Sequence, residues 1–256
     1  MMNSEHYIEE SNMSLAWAKA IKTVTIKGRT EFAPLIVAIT GFDDDGNPDE
    51  SATIRKTLDQ VLETEGKQTV ETVAGTIFPY QMWNPKANRS QLFERYTMIV
   101  PRLRTASTKN KHGIYFERMI TGGPADRPNQ LDFVIGAYKS REGVRRSMFQ
   151  IGIFNPAEDL TNSAQRGFPC LQHVTFAPVG DKLSVNAFYA TQYMFERAYG
   201  NYLGICRLGQ FVAREMGIKL GRVTCYAGIA MCDIAKGKLS DVVTLAEAMD
   251  DERTEG

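Results

Sequence analysis

The stretch from Arg166 to Asn201, RGFPCLQHVTFAPVGDKLSVNAFYATQYMFERAYGN, constrains the chain most, because it sets a thiol, a hairpin and a helix in immediate succession. Proline fixes its own φ and restricts the residue before it, so Gly167-Phe168-Pro169 predicts an extended approach that delivers Cys170 to the start of an apolar strand (Val174, Phe176, Val179). Val179-Gly180-Asp181-Lys182 reads as a hairpin turn, after which Leu183, Val185, Ala187 and Tyr189 alternate along a returning strand. From Asn201 the period changes. Tyr202, Ile205, Cys206, Gly209, Val212, Ala213 and Met216 share one face of a helix that Gly217 can close. A free cysteine on its own is most often a small hydrophobe in packing. Its place ahead of this hairpin and helix makes Cys170 the best candidate nucleophile of the chain.

With 256 residues, 43% of them hydrophobic, the chain can bury one large core, and a single domain is expected over residues 14–249. Residues 1–13 read as a loose N-terminus and 250–256 as an acidic tail. Thirty basic side chains balance thirty acidic ones, which leaves no general nucleic-acid footprint. Neither an apolar run of about 18 residues nor a signal-like start is present, so no membrane segment is expected and the cytoplasm is the default compartment. Cys170, Cys206, Cys225 and Cys232 lack C-x-x-C spacing, and only His6, His112 and His173 could join them, so neither disulfides nor zinc are expected. Asp43-Asp44-Asp45-Gly46 reads as a turn, because the spacing does not continue into a full calcium loop ending in Glu.

In chain order, Ser14 can cap a helix with Trp17, Ala20, Ile21 and Val24 on its apolar face, and Pro34 to Phe42 reads as a strand. Ser51 to Leu62 is helical with Ile54, Leu58, Val61 and Leu62 inward, and a second helix carries Val70, Glu71, Val73 and Ala74 to Gly75. Three prolines interrupt residues 77–110, where a short helix from Ser90 to Met98 is expected, the segment serving as a lid or a dimer arm. Leu131 to Tyr138, Met148 to Phe154 and Arg222 to Ile229 read as strands, and Ser240 starts a last helix through Met249.

The order around Cys170 resembles the active-site segment of thymidylate synthases. In that family a Pro-Cys-His start, a Gly-x-Leu-Ser turn, a strand and an Asn opening a buried helix follow one another. Cys170, Phe176, Lys182-Leu183-Ser184, Phe195 and Asn201 fall at matching places without a gap. Gly113-Ile114-Tyr115 resembles the family's Gly-x-x-Tyr-Gly element. Arg145-Arg146, with Asn155-Pro156 further on, is similar to its Arg-Arg, strand, Trp-Asn-Pro series. The resemblance implies an α/β (α+β) fold with a mixed twisted sheet backed by the buried helix after Asn201, and a homodimer in which arginines cross the interface. It implies Cys170, Glu71 and Tyr115 as catalytic residues, with Arg29, Arg145 and Arg146 on a phosphate and Asn201 on the base. Glu71, Tyr115 and the arginine pair also read, from their residues alone, as an exposed helix carboxylate, a core tyrosine and surface charge.

Leu171 stands where the family has histidine, Ala190-Thr191 where it has Arg-Ser, Tyr193 where it has a folate-linked Asp, and Met231-Cys232-Asp233 near its His-x-Tyr. Phosphate and sugar recognition must therefore differ from the family pattern. His173 can stand in for the missing histidine if it faces the same side as Cys170.

The chemistry explains why these residue types belong together. C5 of a uracil ring is not nucleophilic until a group adds at C6, which a thiolate can do. Addition pushes charge toward O4 and C5, calling for a donor near O4 and N3, a carboxyl relay and a one-carbon electrophile. Neighbouring arginines would lower the Cys170 pKa. The function the resemblance implies is transfer of a methyl or hydroxymethyl group to C5 of a dUMP-like pyrimidine nucleotide, with 5,10-methylenetetrahydrofolate as carbon donor. The alternative is a nucleotide-binding or scaffold protein that has lost catalysis.

Overall fold

A computed structural model describes residues 4–110, 113–121, 129–140, 143–162, 169–234, 236–240, 244 and 247. The sheet is mixed because of how its strands are connected. Strand β5 (Leu171–Val179) turns at Gly180, whose φ of 62° suits a tight reversal, and pairs antiparallel with β6 (Lys182–Tyr193). The chain then passes through helix α8 (Tyr199–Met216) before β7 (Lys219–Met231), and this crossover lets β7 lie parallel to β6. Strand β3 (Leu35–Ile39) runs antiparallel to β7, β1 (Tyr7–Glu10) parallel to β3, and β4 (Gln150–Gly152) antiparallel to β5. The order is β1-β3-β7-β6-β5-β4, with the two-residue β2 (Glu31–Phe32) also on β7. The expected mixed α/β fold is observed.

Helix α8 is the centre of the core, with 15 of its 18 residues buried, more than the single apolar face expected from its period. Two glycines make this possible. A Cβ on Gly200 would lie 2.6 Å from Val73 Cβ, and one on Gly204 would lie 2.9 Å from Ile77 Cβ, so only glycine lets α3 (Val70–Ile77) cross α8 this closely. Gly217 closes α8 in the left-handed conformation, as expected.

The N-terminus departs from expectation, since Tyr7–Glu10 is paired with Ile36–Ile39 rather than loose. Helix α1 (Met13–Thr25) buries Trp17, Ala20, Ile21 and Val24, but its cap is Asn12, whose side chain accepts from the Ser14 and Leu15 amides at 2.9 and 3.2 Å. Ser14 Oγ instead lies 2.7 Å from the Tyr199 hydroxyl and accepts from the Ser51 amide at 2.8 Å. Helix α2 (Ala52–Thr64) is capped by Ser51, with Ile54, Leu58 and Leu62 buried.

Helix α4 (Arg89–Ala106) runs well past Met98, because Leu92, Phe93, Tyr96 and Val100 keep one face buried and packing carries the helix through Pro101. After α5 (Tyr115–Thr121) comes the main correction. Residues 131–138, expected as a strand, lie within helix α6 (Gln130–Ser140), burying Leu131, Val134 and Ile135 at i, i+3, i+4 and leaving Phe133 52% exposed. The short helix α7 (Pro156–Asp159) follows β4 and is capped by Asn155. Ser240, Thr244 and Glu247 are helical, while the rest of the expected last helix and the acidic tail lie outside the described residues. Among the described residues, no helix is long and apolar enough to cross a membrane.

Candidate active site

The end of the β5–β6 hairpin, the first turns of α8, one face of α3 and the start of α5 enclose a cavity of about 320 Å³. Cys170, Tyr115 and Asn201 all line it. The crossover through α8 sets Asn201 beside the hairpin end that carries Cys170, and Tyr115 joins them from the start of α5. Arg118, Arg197, Thr191 and Gln192, which sequence reasoning did not select, share the wall.

Cys170 stands immediately before β5, its carbonyl accepting from the Ala190 amide at 2.9 Å, which fixes the thiol beside the cavity. Burial pushes its pKa above the ordinary value, and Arg197 works in the opposite direction. The expected lowering is therefore not met: one guanidinium does not outweigh removal of the thiolate from water. Tyr115 is likewise pushed up to about 12, mainly by burial and by the neighbouring Cys170, so it is a neutral hydroxyl donor at physiological pH. Asn201 is 5% exposed, and none of its side-chain atoms is hydrogen-bonded among the described residues. Its amide offers both a donor and an acceptor to a ligand edge.

Arg197 reaches the wall from a wide helical turn, Met194–Ala198, that leads into α8. Asp233 pins the turn by accepting from the Phe195 and Glu196 amides at 2.9 and 3.0 Å. The guanidinium donates to Gln68 at 2.7 Å and to Glu196 at 2.9 Å, and Glu196 also pairs with Lys67 at 2.9 Å. Its i, i+4 relation to Asn201 was the available sequence signal, since residues so spaced share a helix face. Replacing Arg197 with Met is expected to move the Cys170 titration to higher pH, because burial then acts without its opposing charge. The pH dependence of thiol alkylation would check this, and a midpoint that stays put or falls would remove Arg197 from the thiol's electrostatics.

The remaining expected residues lie elsewhere. Glu71 sits on α3 away from the face carrying Val73 and Thr76 into the cavity, and its carboxylate bridges Arg55 at 2.8 Å and Arg207 at 2.7 Å. Burial opposes its charge, but the hydrogen bonds and charges of Arg207 and Arg55 prevail and hold its pKa below the usual carboxylate range. The geometry makes it an ionised link between helices, with Arg207 stacked over the Tyr80 ring at 4.5 Å. The wall contains no carboxylate among the described residues. Arg29 packs over Phe32 at 5.4 Å, and its buried Nη1, which makes no hydrogen bond among the described residues, lies 3.8 Å from the Glu5 carboxylate. Arg145 and Arg146 are exposed on a short turn before β4 and do not reach this chain's cavity. His173 does not replace the missing histidine. It pairs with Phe188 on the sheet face turned away from α8, and its Nε2 lies 2.6 Å from Gln150 Oε1.

No family model matches the sequence. The fold and the cavity define a mixed-sheet α/β protein with a half-buried thiol facing a buried amide and a neutral tyrosine. A protein of Methanocaldococcus jannaschii named "Putative thymidylate synthase" is 26% identical to this chain over 180 residues, which span 66% of this chain and 78% of that protein. The likeness supports a relationship to thymidylate synthases.

Proposed function

We propose that this chain is an enzyme of the thymidylate-synthase kind, which transfers a one-carbon unit to C5 of a pyrimidine nucleotide through a Cys170 adduct at C6. The observation that carries the reading is the convergence of Cys170, Tyr115 and Asn201 on one cavity wall. The Cys170 thiolate forms the S–C6 bond, and the C5=C6 electron pair moves toward C5 and O4. The Asn201 amide and the neutral Tyr115 hydroxyl are the donors available to that charge. C5 then bonds to the carbon unit and gives up its proton to water, the described wall holding no carboxylate to receive it, and re-formation of C5=C6 expels the thiolate.

At about 320 Å³ the cavity is at the small end of ligand sites and suits a nucleotide. The implied carbon donor, 5,10-methylenetetrahydrofolate, would supply the one-carbon unit. The 43% exposed Tyr193 ring offers it a stacking surface at the cavity wall, though not the carboxylate of the family pattern. Phosphate recognition is assigned to Arg197 within the chain and to Arg145 and Arg146 from a second protomer. The sheet face away from α8 supports a homodimer, since it carries the Phe188–Tyr226 stack, 5.2 Å between ring centroids, with Phe188 39% exposed.

Uridine or deoxyuridine monophosphate at one hundred times its dissociation constant is expected to stabilise the protein by about 2.7 kcal/mol and raise its melting temperature by about 5–10 °C. The matching nucleosides should give a smaller shift. Absence of a shift with every pyrimidine nucleotide would sink the reading. Binding without chemistry is the second reading, favoured by the raised thiol and the lack of a carboxylate in the described wall.

A further inference from the structure

Gln192 is 2% exposed, lines the cavity and carries a side-chain Nε2 with no hydrogen-bond partner. Its other amide atom faces a donor: the buried Tyr202 hydroxyl lies 3.5 Å from Gln192 Oε1, a long contact. The orientation of the amide follows from this pairing. Turning it over would let Nε2 donate to the Tyr202 oxygen but would leave both the hydroxyl proton and Oε1 without partners, so the observed orientation leaves fewer kinds of group unmet. The side chain is therefore held with its N–H donors free.

A buried amide donor left unmet is costly, and native proteins keep few of them. Gln192 belongs to the wall that also holds Cys170 and Asn201, so a ligand placed against the thiol meets the residues that carry both amides. A fixed donor without a matching acceptor selects for an oxygen acceptor on the ligand and against an amino group at the same point.

We propose that Gln192 is a specificity-determining residue, its Nε2 donating to a ring carbonyl oxygen of the nucleobase bound against Cys170. This rests on the pyrimidine-nucleotide reading above. Gln192 supplies the donor, and Asn201 keeps its donor and acceptor for a second position on the ring. A base with carbonyls at both ring positions fits this pair better than one with an amino group at the Gln192 contact.

The test crosses changes in the protein with changes in the ligand. Wild type, Gln192→Met and Gln192→Glu would be titrated calorimetrically with deoxyuridine monophosphate and its 2-thio and 4-thio analogues, since sulfur accepts hydrogen bonds weakly. Gln192→Met should bind the parent nucleotide about tenfold more weakly or worse. One of the two thio analogues should lose affinity for wild type, and that loss should vanish in Gln192→Met. Gln192→Glu, which presents acceptors only at neutral pH, should also weaken parent binding, and it decides the matter alongside the wild-type thio series if the methionine variant does not fold. A folded Gln192→Met that binds the parent as wild type does would overturn the Gln192 assignment and leave the function standing. So would thio penalties that persist undiminished in it. Wild type binding no pyrimidine nucleotide would overturn both.

Discussion

Intact-protein mass spectrometry after incubation with a 5-fluorodeoxyuridine monophosphate and the one-carbon donor should show a covalent nucleotide adduct, and Cys170→Ser should abolish it. Fluorine at C5 blocks loss of the substituent that normally releases the ring, so the S–C6 bond persists. A serine hydroxyl near neutral pH is a far poorer nucleophile than a thiol. The other cysteines provide the control. Cys206 and Cys225 are 0% and 1% exposed, and burial pushes both thiols far up. Cys232 is outside the cavity wall and its thiol donates to the Ile234 carbonyl at 3.3 Å. Serine at any of those three positions should leave the adduct intact. Because the Cys170 pKa is raised, the thiolate is the minority form at neutral pH, so adduct formation should accelerate as pH rises toward that value. An adduct that survives in Cys170→Ser, or disappears in Cys232→Ser alone, would break the assignment of the nucleophile.

How far the chain could be read in advance follows from which forces are local. The hairpin and α8 were legible because a period of two gave way to a helical period at a definite point, with Gly180 and Gly217 marking the reversals. The run LDFVIGAY in α6 was not, since apolar residues at nearly every position fit a buried strand as well as a helix, and only packing decides. Strand β1 was missed because Tyr-Ile-Glu-Glu offers a single buried residue, Ile8, and its pairing partner lies almost thirty residues away in β3.

The site divided along the same line. Cys170, Tyr115 and Asn201, selected through their order in the chain, share one cavity wall, but order does not say which face of a helix meets a cavity. Glu71 therefore reads as catalytic by position, whereas the fold turns it toward Arg55 and Arg207. The direction of the Cys170 shift was likewise out of reach, because it depends on how deeply the thiol is buried and on which single arginine lies beside it. Gln192 carried no sequence signal, since its meaning comes from the missing partner of one buried atom.

The largest stability effect is expected at the other edge of the cavity, where Arg118→Met should cost about 3–5 kcal/mol and lower the melting temperature by roughly 6–20 °C. Arg118 on α5 donates to both carboxylate oxygens of Asp159 at 2.7 and 2.9 Å and to the Ile153 carbonyl at 3.0 Å. The two side chains are only 9% and 3% exposed, so water cannot replace the lost partner. Methionine keeps much of the volume but removes the guanidinium from the buried Asp159 carboxylate, which keeps the Asn155 amide at 2.8 Å among its partners. The contact also ties α5, which begins at the cavity with Tyr115, to the α7 segment after β4, so the wall loses its anchor along with the charge pair. Adding Asp159→Leu to Arg118→Met should restore part of the loss, because it removes a buried carboxylate that has lost its guanidinium. Urea denaturation of the ligand-free single and double variants separates the cases. An Arg118→Met protein within about 1 kcal/mol of wild type would show that the pair does not hold α5 in place. A double variant weaker than the sum of its single changes would show that the carboxylate has other partners sufficient to keep it charged.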